Sequence, residues 1–110
     1  KNLDEILSVK GLDAIYIGPA DLGLSYGENP QFDVEENPIY EIIIKILEKA
    51  KKNNIYAGIH CGSSTYALKM IELGFNFVSI LSDSRIMSIG VKTILDEIRE
   101  TKKEKVGSIY

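Results

Sequence analysis

The sequence predicts an α/β protein built on a parallel sheet, and two observations carry this prediction. Three short apolar runs of strand type, at 14–17, 55–59 and 75–81, alternate with segments whose apolar residues recur at the helical period. The first run is followed by Gly18-Pro19 and the third by Ser82-Asp83, while the second reaches Gly62-Ser63 after His60 and Cys61; glycine, proline, serine and aspartate are typical of a strand end. Strands that alternate with helices in this way require parallel pairing and right-handed crossovers.

Composition and charge exclude several classes of protein. The chain has 110 residues, of which 45% are hydrophobic and 26% charged, an ordinary composition for a globular domain. Its net charge of -3 and the lack of a basic face argue against nucleic acid as a partner. No apolar run is long enough to span a membrane, and no signal-peptide pattern is present. A single cysteine, Cys61, fits a reducing cytoplasm.

The chain opens in a helical pattern, followed by the first strand and a sharp turn. Asn2 is expected to cap the first helix, and the strand Ala14–Ile17 breaks at Gly18 and Pro19. Gly18 allows close approach of a ligand, and Pro19 suits the first position of a helical turn. The amides of the next three residues would then face an anion, with a hard oxygen ligand beside them. These three residues are Ala20, Asp21 and Leu22.

The second half of the pattern begins after a polar loop over residues 22–37, which we expect to be a lid or contact surface. Asn37 and Pro38 start a long amphipathic helix, which Asn53 and Asn54 stop. The strand 55–59 leads into His60 and Cys61, and Ser63 or Ser64 caps the following helix. That helix is predicted to turn Ala67, Met70 and Ile71 inward and to close at Gly74.

The strand 75–81 is followed by the last helix, which Ser82, Asp83 and Ser84 are expected to cap. Its apolar stripe comprises Met87, Val91, Ile94, Leu95 and Ile98. Because parallel strands end at the same edge of a sheet, three polar segments should share one rim. They are Gly18 to Asp21, His60 to Ser63, and Ser82 with Asp83.

Each of these polar residues could have a purely structural role instead of a functional one. Asp21 is either a metal ligand or a cap of its own turn. His60 is a general base, a substrate contact or a partly buried hydrogen-bonding residue. Cys61 has no cationic neighbour in sequence to activate it, and is interpreted as packing. Asp83 is interpreted as a helix cap, and Tyr26 as either a channel or a surface residue.

Four segments together resemble one known family. The sequence resembles the HpcH/HpaI aldolase/citrate lyase group in four segments: Ile17-Gly18-Pro19-Ala20-Asp21-Leu22, 57–63, 70–75 and 77–83. The likeness is to its metal-dependent class II pyruvate aldolases, such as 2,4-dihydroxyhept-2-ene-1,7-dioate aldolase. It implies the C-terminal part, about three βα units, of a TIM (β/α)8 barrel. Residues 1–110 would form a partial domain whose N-terminal strands, those before the sixth, are missing.

The resemblance also implies a reaction. The intact protein would be an aldehyde-lyase that reversibly cleaves a 4-hydroxy-2-oxo acid to pyruvate and an aldehyde through a metal-stabilised enolate. Asp21 would bind a divalent cation (Mg2+, Mn2+ or Co2+), and Gly18 and Ala20 would bind the substrate's carboxylate. The second metal ligand and the acid/base residues would lie upstream of Lys1, so no catalytic residue is assigned here.

The family further implies a cytoplasmic homo-oligomer, a hexamer by analogy, and an inactive isolated chain. Two alternatives stay open. One is a citryl- or malyl-CoA lyase-like enzyme of the same superfamily, and the other is a non-catalytic α/β module that binds an anion.

The first prediction concerns the DNA that encodes the residues before Lys1. A βαβ unit takes roughly 30 residues, so a strand should end just upstream and carry a Glu as second metal ligand. Sequencing of the intact gene checks this. An upstream strand end without an acidic residue would contradict the two-carboxylate metal site.

Overall fold

The computed structural model describes the backbone of residues 1–109 and the side chains of residues 1–101, in two compact units. The first unit, Lys1–Ile80, contains three strands and four helices, and the second begins at Leu81. In chain order the first unit has α1 (Leu3–Leu7), β1 (Ala14–Ile17), α2 (Pro19–Ser25), α3 (Pro38–Lys52), β2 (Tyr56–Cys61), α4 (Ser64–Leu73) and β3 (Phe77–Ile80). The second unit has α5 (Asp83–Ile109).

The three strands form one parallel sheet, as the sequence predicts, and the structure gives their order as β1-β2-β3. Ile17 of β1 lies opposite Ile59 of β2, and His60 of β2 lies opposite Ser79 of β3. All three strands therefore end at the same edge of the sheet, which is where ligands bind in parallel α/β folds.

The two faces of the sheet differ sharply in environment. One face carries the buried residues Ile17, Ala57, Ile59 and Cys61. It packs in a single core cluster with apolar residues of α3 and α4, namely Ile39, Ile43, Leu47, Ala50, Tyr66, Ala67 and Met70. The opposite face is open, since Tyr16, Tyr56 and Phe77 are 54%, 64% and 62% exposed. We call it the open face of the sheet.

Gly58 lies at the centre of the open face and allows two aromatic rings to cover β2. The rings of Tyr16 and Phe77 lie 6.1 Å apart between centroids. A Cβ at Gly58 would stand 3.0 Å from Cδ1 of Phe77 and 3.1 Å from Cδ2 of Tyr16. The missing side chain thus lets Tyr16 cross the central strand towards β3.

Local capping chemistry confirms several helix ends. The Asn37 side chain accepts hydrogen bonds from the amides of Ile39 and Tyr40, and Ser63 accepts one from Tyr66. Gly74 ends α4 in the left-handed conformation with φ of 113°, which glycine adopts most readily.

The strand boundaries differ from the prediction. β2 continues to Cys61 because His60 and Cys61 both pair with β3, so His60 lies within the strand instead of beyond it. β3 begins only at Phe77, since the amide of Phe75 still donates to Met70 at the end of α4.

Three details of the helices also correct the prediction, at Asn2, Ile71 and Asp83. Asn2 makes no side-chain cap, because its backbone (φ -101°, ψ 19°) is not extended as a capping residue requires. In α4, Ile71 was predicted to point inward but is exposed. Tyr66 is buried in its place, together with Ala67 and Met70.

At the start of α5, Ser82 is the cap, since its Oγ accepts from the amide of Arg85 at 3.3 Å. Asp83 is the first helical residue instead, so its interpretation as a cap is wrong. The apolar residues predicted to form the stripe of α5 (Met87, Val91, Ile94, Leu95 and Ile98) are exposed. Across residues 1–109, no helix combines the length and apolarity needed to cross a bilayer.

The second prediction compares two Gly→Ala changes. Gly58→Ala should lower the free energy of unfolding by about 1–3 kcal/mol, since the new methyl group also lies 3.1 Å from the backbone oxygen of Phe77 and overpacks the site. Gly90→Ala, within α5 and with open space around it, should raise stability by up to about 1 kcal/mol. Urea unfolding followed by circular dichroism measures both. Equal stability of the two variants would contradict the crossing of β2 by Tyr16.

Candidate functional site

The turn after β1 has the form that its sequence predicts, with one correction. Gly18 is the N-cap of α2 in an extended conformation, and Pro19 is the first helical residue. The amides of Ala20 and Asp21 make no hydrogen bond within the described residues. The amide of Leu22, predicted to be free, donates to the Gly18 carbonyl at 2.9 Å because α2 continues to Ser25. Two amides, not three, are therefore available.

Asp21 lies in the first turn of α2 and is exposed to solvent. Its Oδ2 lies 3.5 Å from the position that a Cβ on Gly18 would occupy, so the carboxylate lies close to the end of β1. A single exposed carboxylate fits one oxygen ligand of a hard divalent cation. Residues 1–101 contain no group of three or more His, Cys, Asp or Glu that would hold a cation by themselves.

The loop between α2 and α3 is anchored to the carboxyl end of β2 by Asp33. Its carboxylate accepts hydrogen bonds from the Gly62 amide and the Ser63 hydroxyl, both at 2.7 Å. Next to it, the Tyr66 hydroxyl donates to the Val34 carbonyl at 2.6 Å, and burial raises the pKa of that phenol. The predicted contact loop is therefore pinned to the rim, an anchor that the sequence analysis missed.

A second group that the sequence analysis missed lies on the open face. The Ser79 hydroxyl is 2.5 Å from Oη of Tyr16 and 2.8 Å from Nδ1 of His60, so it bridges the outer strand β1 and the central strand β2. The ring of Phe32 meets His60 edge-on, at 5.9 Å between centroids. His60 is half-buried between these groups. The two-residue alternation of each strand could have placed Tyr16, His60 and Ser79 on one face of the sheet. Only the register of the strands shows that these side chains meet.

Cys61 points to the other face and is fully buried. Burial and, to a smaller extent, the charge of Asp33 raise the pKa of the Cys61 thiol from 9.0 to about 11. The thiol is therefore not activated, which agrees with its interpretation as a packing residue.

The roles of Tyr26, Ser82 and Asp83 stay predictions. Tyr26 is exposed at the C-terminal end of α2, so its role stays a prediction. Ser82 and Asp83 belong to the second unit, and their place on a common rim also stays a prediction. Gly18 and His60 are close in register, since Ile17 and Ile59 are partners and each precedes one of them directly.

Comparison with known proteins gives a consistent match. The family model of the HpcH/HpaI aldolase/citrate lyases matches residues 1–88. A hydroxypyruvate/pyruvate aldolase of Rhizorhabdus wittichii is 37% identical over 98 residues, which are 89% of this chain and 39% of that protein. A 4-hydroxy-2-oxo-heptane-1,7-dioate aldolase of Escherichia coli is 36% identical, over 80% of this chain and 33% of its own length. The chain thus spans about two fifths or less of these relatives.

Two solved structures share the fold. An HpcH/HpaI aldolase from Desulfitobacterium hafniense superposes with a TM-score of 0.81 and 24% identity, over 90% of this chain and 38% of that one. A family protein from Burkholderia cenocepacia gives 0.81 and 23%, over 88% and 37%. This likeness confirms the predicted fold class, a part of a TIM barrel with parallel strands.

The third prediction concerns alkaline pH and Cys61. The unfolded thiol ionises near its ordinary pKa of 9.0 and the folded one near 11, so the unfolded state loses its proton first as the pH rises. Stability should therefore fall between about pH 9 and 11. Urea unfolding at several pH values measures this, and Cys61→Ala should remove that part of the decline. An identical alkaline decline in both proteins would contradict it.

Proposed function

Because this chain belongs to the HpcH/HpaI aldolase/citrate lyase family, we propose that the protein is a divalent-metal-dependent aldolase. It cleaves a 4-hydroxy-2-oxo acid reversibly to pyruvate and an aldehyde. The two relatives described above are named as aldolases of pyruvate and of a hydroxy-oxo acid, which supports this reaction class. The observation that carries the proposal is the turn at residues 18–21, where two free amides and one carboxylate follow a strand end.

Gly18 and Ala20 bind the carboxylate of the 2-oxo acid in this proposal. Gly18 has no side chain to block the approach, and the amide of Ala20 has no partner within the described residues. The first turn of a helix also attracts negative charge. The substrate's carboxylate therefore replaces water at amides that the fold leaves unsatisfied.

Asp21 contributes one oxygen ligand to a divalent cation (Mg2+, Mn2+ or Co2+). The chemistry that such a cation supplies when bound is polarisation of the keto oxygen and stabilisation of the enolate negative charge. Asp21 is suited to this role because it is exposed and lies beside the two free amides. Residues 1–101 contain no group of three or more potential ligands around Asp21, and the proposal takes the other ligands from outside these residues.

The proposal includes assembly into a homo-oligomer. Support comes from α5, where Met87, Ile94 and Ile98 are 70%, 58% and 57% exposed. An apolar helix surface of this kind favours burial against another protein surface.

The fourth prediction tests Asp21 in the intact protein. Asp21→Asn keeps the shape of the side chain but removes the charge, so it should weaken metal binding and lower turnover by roughly 100-fold or more. Isothermal titration with Mn2+ and an assay of pyruvate release measure the two effects.

Asp13→Asn is the matched control, because Asp13 is an exposed carboxylate just before β1, at the opposite edge of the sheet. It should leave both quantities unchanged. Equal losses in the two variants, or full activity of Asp21→Asn, would contradict the role of Asp21.

A further inference from the structure

Three side chains from three different strands form a continuous hydrogen-bonded chain on the open face. Tyr16 comes from β1, His60 from β2 and Ser79 from β3, and the Ser79 hydroxyl contacts both of the others. The distances of 2.5 Å and 2.8 Å are those of short, well-formed hydrogen bonds. Such a group specifies one ring orientation for His60.

The geometry allows either direction for this chain of hydrogen bonds, and the chemistry of the three groups favours one of them. A serine hydroxyl has one proton, so Ser79 can donate to only one of its two neighbours. A phenol donates more strongly than an aliphatic alcohol, which favours donation from Tyr16 to Ser79 and from Ser79 to Nδ1 of His60. The remaining proton of the neutral imidazole is then on Nε2.

One further contact, from Phe32, holds the ring and leaves Nε2 available. Phe32 packs edge-on against the ring and is itself held by its neighbour Asp33, which is anchored to Gly62 and Ser63. Within residues 1–101, no hydrogen bond is made to Nε2 of His60. The hydrogen bond at Nδ1 and the contact with Phe32 thus fix the His60 ring. Its Nε2–H is still available as a hydrogen-bond donor.

His60 also has the right place for a second contact to the substrate. It follows Ile59, whose register partner Ile17 directly precedes Gly18, and adjacent strands lie about 4.8 Å apart. A substrate whose 2-oxo acid group lies at the turn 18–21 would extend across about one strand spacing to reach the rim of β2. Phe32 supplies an apolar wall beside that point.

We propose that His60 binds an oxygen of the aldehyde-derived half of the substrate through Nε2–H, and that Ser79 and Tyr16 are positioning residues that fix its ring. This inference rests on the proposed aldolase function and adds a determinant of aldehyde specificity to it. No bond is made or broken by these residues, whose task is to orient and to bind.

The experiment uses the intact protein in the direction of aldol addition, with pyruvate and glycolaldehyde varied in turn. Ser79→Ala and Tyr16→Phe should each raise the KM for glycolaldehyde roughly fivefold, the usual effect of one neutral hydrogen bond. The KM for pyruvate should stay within about twofold. His60→Ala should give the larger effect on glycolaldehyde, and His60→Gln, which keeps a donor, a smaller one.

Two controls separate positioning from a general loss of structure. Ser79→Thr keeps the hydroxyl on the strand and should restore the wild-type KM. Tyr56→Phe removes a phenol hydroxyl from the same open face without touching the chain, and should change nothing. Equal increases in both KM values, or an effect of Tyr56→Phe as large as that of Tyr16→Phe, would overturn the proposal.

A second readout does not depend on activity. The 15N chemical shift of Nδ1 in His60, identified by its absence in His60→Gln, should change in Ser79→Ala and return in Ser79→Thr. An unchanged shift would overturn the positioning role. If the wild-type protein joins pyruvate to no aldehyde, the proposed function fails and the substrate role of His60 fails with it, whereas the 15N shift still decides the positioning role.

Discussion

The parallel pairing of β1 and β3 with β2 is the constraint on which the rest of the first unit depends. It brings the carboxyl ends of the strands to one edge, where Gly18 and His60 become neighbours although 41 residues lie between them in the sequence. It also separates the faces. One is sealed by α3 and α4, and the other keeps Tyr16 and Ser79 available for hydrogen bonding.

Features that depend on local chemistry could be predicted from the sequence. Pro38 follows a capping Asn, and Ser63 and Gly74 bracket α4, because each cap acts on amides or carbonyls within one helical turn. Strand ends depend instead on a partner. His60 joins β2 only because Ser79 lies opposite, which no pattern within residues 55–61 reveals.

The same distinction applies to the candidate site. The turn at Gly18 was predicted because its glycine, proline and carboxylate are consecutive, and it is one of the four segments that resemble a known family. The chain from Tyr16 through Ser79 to His60 joins residues up to 63 positions apart, and the Asp33 anchor spans 29 and 30 positions. Long-range contacts of this kind require the register of the sheet, which a single sequence does not give.

The anchor at Asp33 has a consequence for how the loop can vary. Asp33 adopts a left-handed backbone with φ of 54°, which aspartate tolerates better than most residues, and its two hydrogen bonds divide the loop into shorter spans. Closure entropy depends on each span separately, and only weakly on its length. We therefore expect residues 29–31, which follow the last backbone hydrogen bond of α2 at Glu28, to tolerate a change of length while Asp33 keeps Phe32 beside His60. Under the proposed aldolase function, variation in this loop would change the surroundings of His60 while the rim of β2 stays fixed.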